Sequence, residues 1–142
     1  MKNGLKILIF GLPGAGKTWL AERLQKHLEC AWFNADEVRK MANDWDFSPE
    51  GRLRQSTRMK NIADYEKTCD RWVISDFVCP TQHTRDIFDA DILIWMDTIQ
   101  EGRFEDTNKM FEIPNDFDYH IKKHLTDDEI KELGDNIVAK RS

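Results

Sequence analysis

One stretch of eight residues, Gly11-Leu12-Pro13-Gly14-Ala15-Gly16-Lys17-Thr18, limits what this chain can fold into more than any other feature. It satisfies the pattern G-x-x-x-x-G-K-[ST] at each fixed position. Leu5-Lys6-Ile7-Leu8-Ile9-Phe10 precedes it, a short apolar run closed by a glycine, which reads as a buried strand. Leu20, Leu24 and Leu28 follow it at i, i+4 and i+8, the apolar stripe of a helix. A strand, a glycine turn and a helix in that order curl the backbone so that several N–H groups converge on one anion. The positive end of the helix dipole adds to the same spot.

The side chains of the stretch extend this reading from an anion to a nucleotide. Lys17 supplies a point charge for the β- and γ-phosphates of ATP, and the Thr18 hydroxyl is a hard oxygen ligand suited to Mg²⁺. Gly11, Leu12, Pro13, Gly14, Ala15, Gly16, Lys17 and Thr18 are therefore the expected ATP-binding residues, with Lys17 also catalytic. Such a loop defines nucleotide binding and not a reaction. A length of 142 residues suits a small-molecule kinase better than a motor ATPase, and no Asn-Lys-x-Asp guanine signature is present.

The rest of the chain alternates short apolar runs with helical patterns. Cys30–Asn34, Arg71–Phe77 and Asp91–Met96 read as further strands, and Tyr119–Ile121 as a short edge strand. Asp36–Met41 reads as a short helix capped by Asp36. Pro49 opens a longer helix running to about Cys69, and Thr81–Phe88 forms another. Thr126-Asp127-Asp128-Glu129 is a capping box for a final helix with Ile130, Leu133, Ile137 and Val138 on its apolar side. Residues 98–114 are polar and aperiodic, as a short lid would be. The alternation implies one α/β domain over 1–142, with a parallel sheet of four or five strands covered on both faces.

Composition excludes several classes. The net charge of -5 disfavours binding to duplex nucleic acid, where phosphate neutralisation dominates affinity. No apolar run approaches the roughly 20 residues of a membrane span. The three cysteines, Cys30, Cys69 and Cys79, form no CxxC pair, which suggests neither disulfides nor zinc but a reducing, cytoplasmic setting. His120 and His124 stand at i, i+4 without a third ligand nearby, which reads as surface and not metal.

Other candidates surround the phosphate loop. Asp36 follows the second strand, at the sheet edge where α/β proteins bind ligands. It is a candidate general base or water-mediated Mg²⁺ ligand, and equally a plain helix cap. Arg39, one turn on, can face the same cleft. Asp76 ends the third strand, where an acid helps hold Mg²⁺ or caps a loop. The stretch Arg52-Leu53-Arg54-Gln55-Ser56-Thr57-Arg58-Met59-Lys60 carries four cations and no acid, so one of its faces suits an anionic acceptor. Trp45 and Phe47 lie in a polar loop and suit stacking on a base.

These motifs together resemble adenylylsulfate (APS) kinase. The family's GLxGxGKT loop, its D-G-D-x-x-R and F-S-x-x-D-R-x-x-N segments, its F-I-S-P strand end and its late Y-E-x-P element have counterparts here. They are Gly11–Thr18, Asn34–Arg39, Phe47–Gln55, Phe77–Pro80 and Phe111–Pro114, in the same order. Four family positions carry other residues: Asn34, Gly51, Gln55 and Cys79. The resemblance implies a P-loop kinase fold, a three-layer sandwich with strand order 2-3-1-4-5. It implies transfer of the ATP γ-phosphoryl group to a hydroxyl of a small anionic acceptor, foremost the 3′-hydroxyl of adenylylsulfate. Asp36 would be the catalytic carboxylate. Asp36, Arg39, Phe47, Arg52, Gln55, Val78, Cys79 and Pro80 would meet the acceptor, and Thr18, Asp36 and Asp76 would serve Mg²⁺. A homodimer is compatible with this reading. A kinase for another nucleotide, nucleoside or modified nucleic-acid end is the alternative enzyme, and a non-catalytic nucleotide-binding module is the alternative of another class.

Overall fold

The apolar run that opens the chain becomes the middle of a sheet. In the computed structural model, which describes residues 3–99 and 109–141, β1 spans Leu5–Gly11 and is buried along its whole length. It pairs in parallel with β3 (Trp72–Asp76) on one side and β4 (Ile92–Met96) on the other. β2 (Ala31–Asn34) adds beyond β3, and β5 (Tyr119–Ile121) beyond β4. The result is a five-stranded parallel sheet of order β2-β3-β1-β4-β5. The expected order and the fifth strand are both present, while β2 and β3 are a residue or two shorter than read from the sequence.

Side-chain alternation divides the core in two. Leu5, Ile7 and Ile9 face the layer formed by α1 (Lys17–Leu28) and α5 (Asp127–Arg141), where Leu20, Leu24, Ile130, Leu133 and Ile137 are buried. Leu8 and Phe10 face the layer of α2 (Ala35–Ala42), α3 (Pro49–Thr68) and α4 (Gln82–Phe88), among Val38, Met59, Ala63 and Phe88. Lys6 falls on this second face and is buried there. Its ammonium pairs with Asp64 of α3 at 2.7 Å, donates to the Phe88 carbonyl and lies over the Phe88 ring. A charge in the central strand is tolerated because it is paired.

The helix ends follow their local chemistry, with two departures from the sequence reading. α2 is capped by Asn34, whose carbonyl oxygen accepts from the Glu37 amide at 3.0 Å, and not by Asp36, which lies inside the first turn. An N-cap needs an extended backbone, and Asn34, the last residue of β2, has it (φ -89°, ψ 133°). On α5 the apolar stripe stops short of Val138, which is exposed. The Thr126–Glu129 capping box forms as read, with reciprocal bonds of 3.2 and 2.9 Å. Pro49 opens α3 behind a Ser48 cap, and Cys69 ends it. Residues 100–108 of the expected lid lie outside the described residues. Among the described residues no helix is long and apolar enough to cross a membrane.

Candidate active site

The phosphate loop occupies the carboxyl end of the central strand, as a parallel sheet requires of a ligand site. Gly11, Gly14 and Gly16 have φ of 154°, 92° and 95°, values that side chains disfavour. A Cβ on Gly11 would also stand 2.3 Å from the Met96 carbonyl oxygen, so this position is closed to other residues twice over. Inside the loop the Ala15 amide donates to Leu12 O at 3.1 Å. From outside, the Thr98 hydroxyl donates to Ala15 O at 2.7 Å. The Lys17 ammonium donates to Leu12 O at 3.0 Å and is nearly buried, so its charge is held over the loop.

Thr18, Asn34 and Asp76 meet beside the loop. The Thr18 hydroxyl donates to Asp76 Oδ1 at 3.3 Å. The Asn34 amide nitrogen bridges the two, 3.1 Å from Thr18 Oγ1 and 3.1 Å from Asp76 Oδ1. Trp32 Nε1 donates to Asp76 Oδ2 at 2.7 Å. Asp76 is 2 % exposed, and burial raises its pKa above the ordinary carboxylate value despite opposition from Trp32, Asn34 and Lys17. A desolvated carboxylate beside a hydroxyl gives two hard oxygen donors, a set that fits Mg²⁺ shared with phosphate oxygens. Trp32 and Asn34 were not among the residues singled out for this role. They lie two apart on β2, so their side chains reach the same face. That period-two signal was present in the sequence, but its target on β3 was not.

A cleft of about 1120 Å³ extends from the loop. It runs past Asp76 to a second wall made by Asp36 and Arg39 of α2, Trp45, Phe47, Arg52 and Gln55, and the Val78-Cys79-Pro80 turn. The nucleotide residues and the expected acceptor residues thus share one cavity. Asp36 is exposed in that wall. Arg39 is 5 % exposed, and its guanidinium donates to the carbonyls of Asp44 at 2.8 Å and Asp46 at 3.2 Å. It also stacks 4.4 Å from the centre of the Phe47 ring. Arg52 donates to Phe47 O at 2.8 Å and lies on the same ring at 5.7 Å. Trp45 and Phe47 remain 52 % exposed each, so their rings are open to a ligand.

The structure distinguishes the two faces of the basic stretch on α3. Arg54 and Arg58 share a face, as spacing requires, but that face is neutralised. Both pair with Asp44, at 2.7 and 2.8 Å, and Arg54 also pairs with Asp46 at 3.1 Å. These two arginines hold the Asp44 carboxyl well below its ordinary value. Lys60 pairs with Asp64 at 2.5 Å. Arg52 is the cation of this stretch that lines the cleft. The acids responsible lie earlier in the chain or one turn later, and only folding brings the first group onto α3. Gly51 completes the arrangement: a Cβ there would stand 2.2 Å from the Asp46 carbonyl oxygen. Gln55 uses both ends of its amide, donating to Ala35 O at 3.0 Å and accepting from Arg58 at 2.5 Å.

Cys79 has φ 45° and is 1 % exposed. Burial pushes its thiol up to about 12, and the thiol donates to Thr84 Oγ1 at 3.6 Å. A thiol so buried and raised is poorly suited to act as a nucleophile. His120 and His124 do not converge. His120 stacks on Trp95 at 4.1 Å and bonds Asp97 at 2.8 Å, whereas His124 lies edge-on to Trp19.

A phosphate loop at the end of the central strand of a 2-3-1-4-5 parallel sheet, with helices on both faces, defines the P-loop kinase fold. A family model described as an AAA domain matches residues 7–109, most of the chain, and the chain belongs to that family. No curated protein matches the sequence. Among solved structures, the fold is similar to that of an APS kinase from Mycobacterium tuberculosis in complex with AMPPNP and APS. The TM-score is 0.76 at 16% identity, over 98% of each chain. It is also similar to a sugar kinase from Janibacter, with TM-score 0.70 and 13% identity over 96% of this chain and 95% of that one. A shikimate kinase from Acinetobacter baumannii in complex with shikimate gives 0.64 and 18% over 96% and 92%.

Proposed function

We propose that this protein is an ATP-dependent kinase that transfers the γ-phosphoryl group to a hydroxyl of a small anionic acceptor, foremost adenylylsulfate, giving 3′-phosphoadenylylsulfate. One observation carries the reading: the phosphate loop with Thr18 and Asp76 at one end, and Asp36, Arg39, Arg52 and Phe47 at the other, line a single cleft of about 1120 Å³. The similarity to an APS kinase holding both AMPPNP and APS supports the same arrangement.

In this reading the loop amides and Lys17 grip the triphosphate. Thr18 and Asp76 would hold Mg²⁺, which when bound supplies charge neutralisation at the β- and γ-phosphate oxygens. Asp36, exposed in the opposite wall, orients or deprotonates the acceptor hydroxyl. Arg52 and the stacked Arg39–Phe47 pair fix the anionic and aromatic parts of the acceptor. Phosphoryl transfer asks little else of a protein than positioning and charge.

A second enzyme reading, a kinase for another nucleotide, nucleoside or nucleic-acid end, is favoured by the remodelled acceptor wall. Gly51 makes room for the Asp46 backbone, and Gln55 is committed to Ala35 and Arg58. The deciding experiment is transfer of labelled γ-phosphate to a panel containing adenylylsulfate, nucleosides, nucleotides and 5′-hydroxyl oligonucleotides. Turnover of adenylylsulfate alone supports the first reading, and turnover of another acceptor alone supports the second. ATP binding without transfer to any of them would leave a nucleotide-binding module.

A further inference from the structure

The acceptor wall ends in a turn whose shape needs an explanation. Cys79 sits in the left-handed region that residues with a Cβ adopt seldom. The group that holds it there is Arg85 of α4, which none of the sequence motifs singled out. Arg85 is 4 % exposed. Its Nε donates to Cys79 O at 3.0 Å, and its Nη2 donates to Pro80 O at 3.1 Å and to Glu112 O at 2.7 Å. The guanidinium lies against the rings of both Phe10 and Phe111, 4.7 and 4.9 Å from their centres. The Glu112 amide donates to Pro80 O at 2.7 Å, and the Glu112 carboxylate accepts from the Gln82 amide at 3.0 Å.

These contacts join two segments far apart in the chain, the 78–80 turn and residues 111–112. Both border the cleft, the first directly and the second next to Met110, which lines it. The planar fork is what allows this, since one side chain reaches three carbonyls. Lysine has a charge but no fork. The guanidinium holds the turn without filling the cleft, because Arg85 is not among the residues that line it.

We propose that Arg85 is a positioning residue, which locks the Val78-Cys79-Pro80 turn to the Phe111–Glu112 segment and so sets the affinity for the acceptor while leaving that for ATP unchanged. The proposal rests on the kinase reading for its catalytic consequence, but its structural consequence can be read without an acceptor.

The test uses Arg85→Lys, Arg85→Gln and, from the opposite side, Phe111→Leu. Two measurements are made on each: hydrogen exchange across the described chain, and the KM of each substrate with an acceptor the wild type turns over. The expected result is faster exchange at the Glu112 amide and at the amides of Cys79, Thr81 and Gln82 together, with the phosphate-loop amides unchanged. The acceptor KM should rise tenfold or more in Arg85→Lys, with ATP affinity within twofold of wild type and a smaller shift of the same kind in Phe111→Leu. Exchange that rises in only one of the two segments overturns the proposal, as does an equal rise in both KM values. If the Arg85 variants do not fold, Phe111→Leu alone decides by the same two criteria. If the wild type transfers to no acceptor, the kinase reading fails, and paired exchange still decides whether Arg85 locks the two segments.

Discussion

Replacement of Arg39 by alanine separates two roles that the sequence runs together. The resemblance makes Arg39 an acceptor ligand, whose loss would raise the acceptor KM and nothing else. The geometry makes it also a brace. Two hydrogen bonds from a guanidinium to the carbonyls of Asp44 and Asp46 would be lost, along with the stack on Phe47. Hydrogen bonds from charged donors contribute about 1.5–3 kcal/mol each, but Asp46 is exposed and its carbonyl regains water. The expected loss of stability is therefore about 2–4 kcal/mol, less than the full ~3–6 kcal/mol of two such bonds because one acceptor is rehydrated. In a domain of this size about 3 °C of Tm accompanies each kcal/mol, so thermal unfolding should shift down by about 6–12 °C. The acceptor KM should rise about 10- to 150-fold, with that of ATP nearly fixed. Arg39→Lys tells the roles apart. It restores part of the acceptor KM, because the charge remains, but little of the Tm, because an ammonium has no planar face to stack on Phe47. A Tm within about 2 °C of wild type for Arg39→Ala, an effect below ~1 kcal/mol, would refute the brace. An unchanged acceptor KM would refute the contact.

Three further outcomes are expected. Lys17→Ala should abolish transfer, and activity within about tenfold of wild type, a loss of only ~1.4 kcal/mol, would contradict the role given to that charge. Cys79→Ser should keep activity, and iodoacetamide at neutral pH should leave the native Cys79 thiol unmodified, since burial holds its pKa at about 12; inactivation of a folded Cys79→Ser variant would restore a chemical role to the thiol. Asp44→Asn should destabilise the fold at pH 7. Because Arg54 and Arg58 depress the folded-state pKa of Asp44 below its ordinary 3.8, its contribution is complete well above that value and fades as pH falls through it and below. The difference between variant and wild type should be constant above about pH 5, shrink as pH falls through and below the ordinary carboxylate value, and shrink in high salt, and a difference that changes neither between pH 5 and pH 2 nor with salt would rule out the ion pairs as its source.

The sequence alone determined the local parts of this protein. The phosphate loop was legible because its glycines, lysine and threonine act within eight residues, and because the apolar run before it and the leucine stripe after it each fix one element. The alternation of strands and helices carried the parallel sheet for the same reason, since each strand and helix is local and parallel pairing forces crossovers between them, whereas the strand order came only with the resemblance. What folding decided are the partnerships between residues distant in the chain. The cap of α2 went to Asn34 because β2 ends with the extended backbone that a cap requires. Asp76 gained Trp32 and Asn34 as donors only once β2 lay beside β3. The cationic face of α3 was cancelled by Asp44 and Asp46, carried back over Gly51 by a loop whose path no periodicity reveals. Arg85, which no motif singles out, is buried against Phe10 and Phe111 and bonded to the carbonyls of Cys79, Pro80 and Glu112 only once α4 lies beside residues 111–112. Charge and hydrogen bonding act over a few ångströms of space and not over positions in a sequence, so a side chain's type shows what it can bind, and only the tertiary structure shows what it has already bound.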